Sequence, residues 1–364
     1  MKVFLYLIMI SSAHLAFSSE QCLNNVEQVV KNLTNYQKSV KIKANTKNVF
    51  ANKQSFRMSP LNKFGFHNHL QGATLIPGTN NKYFLVSGGD QKLNQSWLYL
   101  GKYTDTNGFK KAVLLKSFPL ISRFNRWHVG GIGIHNQTIA LPMETIGMHK
   151  SASVYFYKLE LNQETDHAEL IKLPREIHLS DFGGGAVDIE KKRNYGRGLY
   201  DLVVFDNRKI NYFPKINITH NRPFSRPIRK VTRKWLRKNP SPPRNESTLY
   251  ANTIFASKVF KASNVDIIKD CQENYYFLSV HNKSFLPPVN TKKNGVTLYT
   301  FNPKSRGLQF ANKEILSKKL RCRKHCNFRA AAGSIVENGK LKIFSTPYFR
   351  KKRGRLLRGK LFSN

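Results

Sequence analysis

Three short glycine- or alanine-rich segments of the chain each follow a residue that can transfer protons or bind metal. His69, His128 and Asp181 hold these positions, and Glu144 ends the apolar run that follows the second segment. Two imidazoles could act as general acid and base, and together with a carboxylate they could bind a metal ion. The alternative is structural, because a residue at a repeated position can hydrogen-bond to the neighbouring repeat. We treat the four as candidate catalytic residues and expect no bound metal and no cofactor.

Further carboxylates stand beside the glycine runs and at the ends of apolar runs. Asp90 ends one such run, and Asp188 and Glu190 follow the glycines at 183–185. The sequence contains neither the phosphate-binding pattern G-x-x-x-x-G-K-[ST] nor the nucleophile pattern G-x-S-x-G. The glycines at 183–185 lack the strand–loop–helix setting of a dinucleotide site. These absences disfavour nucleotide-dependent chemistry and serine esterase chemistry of the usual kinds.

Basic residues give the most specific functional signal. The chain has 61 Lys and Arg against 21 Asp and Glu, which is a formal net charge of +40. Lys and Arg that neutralise a polyanion release its counterions, and interleaved aromatic rings add stacking. A basic composition with solvated charges is the alternative. The predicted polyanion-binding residues are Arg229, Lys230, Arg233, Lys234, Trp235, Arg237, Lys238, Arg350, Lys351, Lys352 and Arg353.

The glycine- and alanine-rich segments belong to a unit that recurs along the chain. In each unit a tiny-residue segment leads into an apolar strand, a polar turn and a second apolar strand. The units begin near His69, His128, Asp181, Ala262 and Phe328. Small residues at one recurrent point are expected where strands converge on a common axis, because larger side chains would not fit there. One unit cannot bury both of its faces, so several must stack in a ring.

This pattern resembles the β-propeller superfamily, and the five repeats imply about five blades. We predict an all-β fold, a β-propeller with a short N-terminal helix, with a β-sandwich as the alternative. The predicted boundaries are a signal peptide at 1–18, a helical or extended segment at 19–60, and a propeller at 61–364 with a basic insertion at 216–250. The resemblance to five-bladed glycosidases implies a paired acid and base, for which the candidates are Asp90, Glu144 and Asp188.

The first residues predict export. A basic residue, Lys2, precedes a short apolar run at 3–10, and a small-x-small cleavage site follows at 16–18. No later apolar run is long enough for a transmembrane span. Beyond the cleavage site, apolar residues between Cys22 and Ile42 recur every three or four positions, which predicts an amphipathic helix.

Export would allow two kinds of covalent modification that the sequence suggests, disulfide bonds and N-linked glycans. Four cysteines, at 22, 271, 322 and 326, are compatible with two disulfides in three alternative pairings. Six Asn-x-Ser/Thr sequences are acceptors for N-glycosylation in a eukaryotic secretory pathway. They begin at Asn32, Asn94, Asn136, Asn217, Asn245 and Asn282.

We therefore predict an exported basic β-propeller that binds an anionic polymer or surface, such as nucleic acid, lipopolysaccharide or a sulfated glycan. The alternative is a hydrolase that acts on a phosphate-bearing or glycan substrate in the propeller funnel, with the basic residues steering the substrate inward. A third alternative is a scaffold that binds another protein through the face of the disc. Whether the chain is an enzyme, and in what oligomeric state it acts, stays open at the level of sequence.

Overall fold

The structure, a computed structural model, describes seventeen stretches of the chain. They are residues 22–33, 38–44, 68–90, 95–103, 111–120, 126–144, 152–179, 185–191, 196–206, 209–219, 252–255, 262–282, 294–301, 314–320, 328, 332–346 and 356–364. Within these stretches, one short helix and 21 strands are present, and hydrogen bonds group the strands into four sheets.

Antiparallel strands form five blades in chain order. Blade 1 contains β2 (Asn68–Leu75), β3 (Tyr83–Asp90), β4 (Gln95–Tyr103) and β5 (Lys111–Leu120). Blade 2 contains β6 (His128–Val129), β7 (Gly133–His135), β8 (Thr138–Glu144), β9 (Ala152–Leu161) and β10 (Ala168–Leu179). Blade 3 contains β11 (Ala186–Glu190), β12 (Leu199–Asp206), β13 (Lys209–Asn217) and β14 (Asn252–Phe255). Blade 4 contains β15 (Ala262–Lys269), β16 (Tyr275–Asn282), β17 (Asn294–Phe301) and β18 (Glu314–Lys319). Blade 5 contains β19 (Ala332–Glu337), β20 (Lys340–Ser345), β21 (Leu356–Ser363) and, as its outer strand, β1 (Lys38–Ala44).

The inner strands of the blades form a closed ring. Strand β7 contacts β11, which contacts β15; β15 contacts β19, and β19 contacts β2. The ring closes between β2 and blade 2, where Gly72 lies against the backbone that leads into β7. The chain is therefore a five-bladed β-propeller, as the repeats predicted, and the β-sandwich alternative is wrong.

Glycines on the inner strands are required by the crowding at the axis. A Cβ on Gly72 would lie 2.9 Å from a backbone nitrogen of blade 2, and one on Gly133 would lie 2.6 Å from the Cα of Asp188 in blade 3. A Cβ on Gly333 would lie 2.6 Å from a backbone oxygen of blade 1. Real Cβ contacts are not this short, so no larger residue fits. The physical reason that the sequence suggested for the recurrent small residues is confirmed.

The region after Cys22 is only partly helical, which corrects the predicted helix. Helix α1 spans Val26–Asn32, whereas β1 is a strand that pairs antiparallel with β21 and parallel with β5. In β1 the apolar residues Val40 and Ile42 alternate with lysines, and this two-residue period is typical of a strand. Strand β1 lies in the segment that the sequence placed ahead of the propeller, and it links blade 5 to blade 1 in one eight-stranded sheet.

A side-chain cap stabilises the start of helix α1, and an apolar face and a disulfide fix the helix segment to blades 4 and 5. The side chain of Asn25 accepts a hydrogen bond from the backbone N–H of Gln28, 2.9 Å long, as an N-cap does. A disulfide joins Cys22 to Cys271 across 249 residues of sequence. Four buried apolar residues of this segment join the core between the two blades: Leu23, Val26, Val30 and Leu33.

Several sequence predictions fall outside the described residues. These are the signal peptide at 1–18, Cys322 and Cys326, and nearly all of the basic insertion, of which only 216–219 are described. No helix in the described part of the chain has the length and apolar character to cross a membrane. The disulfide fits the oxidising environment that export predicts.

Candidate functional site

The structure brings two of the four candidate catalytic residues together. His128 in β6 and Glu144 in β8 are direct cross-strand partners in blade 2. His69 lies in β2, where its backbone pairs with Gly89, but its side chain is outside the described set. Asp181 lies outside the described residues altogether. The convergence of His69, His128 and Asp181 on one funnel therefore stays a prediction.

The imidazole of His128 lies between a carboxylate and an amide. Its Nδ1 is 2.9 Å from Oε1 of Glu144, and its Nε2 is 2.5 Å from Nε2 of Gln71 in blade 1. The amide of Gln71 donates to Nε2 when the ring carries its proton on Nδ1, the nitrogen that faces the carboxylate. A carboxylate that orients an imidazole is an arrangement that supports general base chemistry. Here, however, a substrate would have to displace Gln71 to reach Nε2.

Polar contacts join the blades at all five boundaries. Between blades 1 and 2, the hydroxyl of Ser87 donates to the carbonyl oxygen of Gly130 at 2.8 Å. The other four boundaries each use an acidic side chain. The pairs are His135 with Glu190 at 3.4 Å, Ile267 N–H with Asp188 at 2.6 Å, Ser334 N–H with Asp266 at 3.0 Å, and Gly78 N–H with Glu337 at 2.8 Å. Acidic residues in the interior thus hold neighbouring blades together.

The carboxylate of Glu190 lies between two basic side chains, a histidine and a lysine. Its Oε2 is 3.4 Å from Nδ1 of His135 in blade 2, and its Oε1 is 3.0 Å from Nζ of Lys269 in blade 4. Burial opposes ionisation, but the charges and hydrogen bonds of His135 and Lys269 hold the pKa of Glu190 below its ordinary value. Glu190 is therefore an ionised link between three blades and a poor proton donor.

The pKa values of Asp188 and Asp266 are raised, whereas that of Glu190 is lowered. Burial, followed by the charge of Asp266, raises the pKa of Asp188 well above its ordinary value. Burial raises the pKa of Asp266 to about 7, against the opposing hydrogen bonds from Ser334. Buried carboxyls with raised pKa values are electrostatically suited to donate protons. Their oxygens are occupied, however, by the backbone of Ile267 and by both donors of Ser334.

A small cavity lies at the end of the axis where the inner strands finish. Its volume is about 40 Å³, and its polar lining comes from His135, Asp188, Glu190, Lys269 and Ser334. Such a volume holds about two or three water molecules. Typical small-molecule pockets are roughly ten times larger, so a sugar ring does not fit into this cavity as described.

A serine, a histidine and a glutamate lie in line on strands β9 and β10 of blade 2. The Oγ of Ser153 is 2.7 Å from Nδ1 of His178, and Nε2 of His178 is 3.5 Å from Oε1 of Glu176. The order matches nucleophile, base and carboxylate. Arg126, whose pKa is lowered by burial, donates to the same hydroxyl. Because Ser153 is 0% exposed, no substrate reaches it, and the cluster serves to bury Arg126 with polar partners.

The predicted polyanion-binding residues cannot be placed in the fold. All eleven, in the segments 229–238 and 350–353, lie outside the described residues. Across the stretches that the structure covers, no group of three or more His, Cys, Asp or Glu is arranged to hold a metal ion. An anionic ligand is therefore supported by the net charge of the chain and by which of the described charged side chains are buried.

Charged side chains are buried unevenly. In the described part of the chain, six acidic residues are buried, against four basic ones. Among the described residues, more acidic than basic side chains are therefore buried, although the whole sequence has 21 acidic and 61 basic residues. The buried acids are Asp188, Glu190, Asp201, Asp266, Asp270 and Glu337, and the buried basic residues are Arg126, Arg175, Lys269 and Lys342.

Sequence reasoning identified Asp188 and Glu190 but overlooked their partners. Asp266 lies in the sequence Val-Asp-Ile at 265–267, which repeats Val-Asp-Ile at 187–189 on the inner strand of the preceding blade. Superposing the two repeats would have found it. His135 and Lys269 carry no comparable signal, because each stands at the end of an inner strand beside a turn of different length.

No protein-family model matches the chain, and no curated protein matches it. Among solved structures, the chain is similar to the alpha-L-arabinofuranosidase PaAbf62A from Podospora anserina in complex with cellotriose. That similarity has a TM-score of 0.40 and 7% sequence identity, and it covers 91% of this chain and 98% of that chain. A match of this strength carries no inference about activity. The fold assignment rests on the strand pairing and on the closed inner ring.

Proposed function

We propose that this chain is an exported five-bladed β-propeller that binds an anionic polymer, such as a sulfated glycan or a nucleic acid. The observation that carries the proposal is the charge balance, +40 over 364 residues. A charge of this size draws polyanions by long-range attraction and by counterion release. Binding of this kind uses many unspecialised charge contacts and requires no pocket.

Burial in the described blades strengthens this argument. Asp188, Glu190, Asp266 and Glu337 make contacts between blades, so they are not available to form ion pairs with lysines and arginines on the outer surface. The cavity of about 40 Å³ is too small for a sugar ring or a nucleotide. A ligand that follows the outer surface is therefore favoured over one that enters the axis at that end.

The test is a salt titration of binding to heparin and to double-stranded DNA. We expect the logarithm of the affinity to fall steeply and linearly with the logarithm of salt between about 50 and 200 mM, as for any binder with many charge contacts. Fluorescence anisotropy with labelled probes measures it. A flat salt response for both probes would contradict the proposal.

A matched pair of variants tests whether the predicted basic segment is the contact surface. The first variant changes six basic residues to Gln: Arg229, Lys230, Arg233, Lys234, Arg237 and Lys238. The control changes six exposed lysines scattered over the helix and blades to Gln: Lys31, Lys116, Lys158, Lys172, Lys319 and Lys340. Both lose the same charge. We expect the first to lose more affinity and salt dependence, with an unchanged unfolding midpoint. Equal losses would remove the segment from the proposal.

A hydrolase is the second candidate, and the contact between His128 and Glu144 favours it. An imidazole oriented by a carboxylate at 2.9 Å can take a proton from water or from a substrate hydroxyl. The substrate would be a glycan or a phosphate-bearing polymer that enters from the end of the axis where His128 lies. His69 and Asp181, at the corresponding positions of the first and third sequence repeats, would complete the set.

Two substitutions separate the candidates. His128→Asn and Glu144→Gln keep hydrogen-bonding groups of similar size at the two positions. An enzyme would lose turnover of sulfated, phosphorylated or neutral glycan substrates by a factor of roughly 10² to 10⁴. A binding protein would have no turnover to lose, and both variants would keep the heparin affinity of the wild type. Turnover that both substitutions abolish would replace binding by hydrolysis as the function of the site.

A further inference from the structure

Two of the six glycosylation sequences lie in structurally opposite settings. Asn136 is exposed in the turn between β7 and β8, whereas Asn282 at the end of β16 is 2% exposed. The sequence alone treats them as equal, because both are followed at the second position by Ser or Thr. The fold therefore discriminates between acceptors where the motif does not.

The turn that carries Asn136 is held rigidly at its base. His135, immediately before it, lies 3.4 Å from Glu190, and the hydroxyl of Thr138 lies 3.0 Å from that of Tyr200. Asn136 has φ of +53°, a left-handed conformation that Asn tolerates better than most residues do. A bulky group on an exposed residue of such a turn disturbs neither strand.

Asn282 belongs to a buried hydrogen-bond network in which there is no space for a glycan. Its Nδ2, the atom that carries the sugar in a glycosylated asparagine, donates to Oδ1 of Asn294 at 2.5 Å. Asn294 is itself 0% exposed, and its Oδ1 also accepts from the backbone N–H of Phe328 at 3.3 Å. A glycan on Asn282 would not fit beside these buried side chains, and making room for it would disrupt the network, which is destabilising.

We infer that Asn136 is an N-glycosylation site of the folded, exported protein and that Asn282 is not. The inference rests on the export that is part of the proposed function. In the transfer, the amide nitrogen of Asn136 forms a bond to the anomeric carbon of a lipid-pyrophosphate-linked oligosaccharide. The bond from that carbon to the pyrophosphate oxygen breaks, the nitrogen loses one proton, and the lipid pyrophosphate leaves. In a eukaryotic secretory pathway this transfer precedes folding of the blades, and a chain that carries a glycan on Asn282 could not then bury that residue as the folded protein does.

Peptide mapping of the full chain, secreted from a eukaryotic host, tests the inference. Amidase treatment that removes N-glycans converts each occupied Asn to Asp, and mass spectrometry reports the change at each position. We expect conversion at Asn136 and none at Asn282 in protein that unfolds in a single cooperative transition. An unconverted Asn136, or a converted Asn282 in folded protein, would overturn the inference.

Two variants provide the controls. Asn136→Asp removes the acceptor but keeps a residue that tolerates the left-handed conformation, so the protein should fold and lose one glycan. Thr138→Ser keeps both the sequence motif and a hydroxyl near Tyr200, so the glycan should remain. Heparin affinity is measured on the same samples. Loss of heparin binding with an intact glycan would reject the proposed function alone, and an absent glycan with intact binding would reject this inference alone.

Discussion

The carboxylate of Asp188 in blade 3 accepts a hydrogen bond, 2.6 Å long, from the backbone N–H of Ile267 in blade 4. An inner strand has a second blade as its neighbour, so this side chain satisfies a backbone donor that no strand partner reaches. Asp266 does the same for Ser334 one blade further on. The repeated inner-strand aspartates therefore connect the blades in series around the axis.

Removing the Asp188 carboxylate should weaken the ring measurably. In Asp188→Ala the N–H of Ile267 is left buried without its acceptor, which costs about 1–3 kcal/mol in the free energy of unfolding. Asp188→Asn keeps an oxygen in the same place and should cost much less. Urea unfolding of the three proteins at one pH measures the difference. An alanine variant as stable as the wild type would show that the contact contributes nothing.

The stability of the propeller should depend on pH through Asp266. Its pKa is raised by burial to about 7, so the folded protein holds this proton more tightly than the unfolded chain does. The resulting stabilisation is complete below the ordinary Asp pKa of about 4 and is lost as the pH rises through about 7. Asp188, whose pKa is raised as well, acts in the same direction.

The measurement compares unfolding free energies of the wild type and Asp266→Asn between about pH 4 and pH 8. The wild type should lose stability with rising pH relative to the variant, because Asn has no proton to release. Taking the difference cancels the titration of groups that do not interact with Asp266, whereas Asp188, whose pKa the charge of Asp266 helps to raise, also contributes to it. Parallel pH profiles would show that Asp266 titrates at its ordinary pKa.

Two glycine substitutions test the crowding at the axis. Gly133→Ala would place a Cβ 2.6 Å from the Cα of Asp188, where only backbone movement could relieve the clash. We expect it to destabilise the protein by about 1–3 kcal/mol or more. Gly185→Ala is the control, because its Cβ would meet nothing closer than 3.6 Å, and it should change stability by less than about 0.5 kcal/mol. Thermal unfolding midpoints in the reverse order would contradict the packing argument.

The repeated small residues were sufficient to predict the fold because crowding at the axis acts on every blade at the same sequence position. The strand β1 was not recognised, although its alternation of Val40 and Ile42 with lysines is a strand pattern. Its parallel pairing with β5 joins residues about 70 positions apart, and local periodicity does not encode such a contact. When the apolar residues of a short segment fit both a helical and a strand spacing, its secondary structure is determined by the elements it packs against.

The candidate site was predictable only in part, for a related reason. His128 and Glu144 were chosen separately, and their contact follows from the register of β6 and β8. Gln71 carried no signal, because it reaches His128 from another blade. A contact between side chains of two blades depends on the twist and spacing of whole sheets. A contact within one hairpin depends on its turn, which the local sequence indicates.

The disulfide between Cys22 and Cys271 should contribute substantially to stability. It closes a loop of 249 residues, so its main effect is to restrict the unfolded chain. Replacing both cysteines by serine should lower the free energy of unfolding by about 2–5 kcal/mol. Helix α1 should still dock, because the four buried apolar residues of its segment, two of them in the helix itself, remain. The control is Asn24→Ser with Gln272→Ser, two exposed neighbours of the cysteines, which should leave the urea midpoint unchanged. Reductant should lower the midpoint of the wild type and of this control, and should change that of the double-serine variant, which keeps Cys322 and Cys326, by less. A double-serine variant with the midpoint of the wild type would mean that the apolar contacts of the N-terminal segment hold it in place without the disulfide.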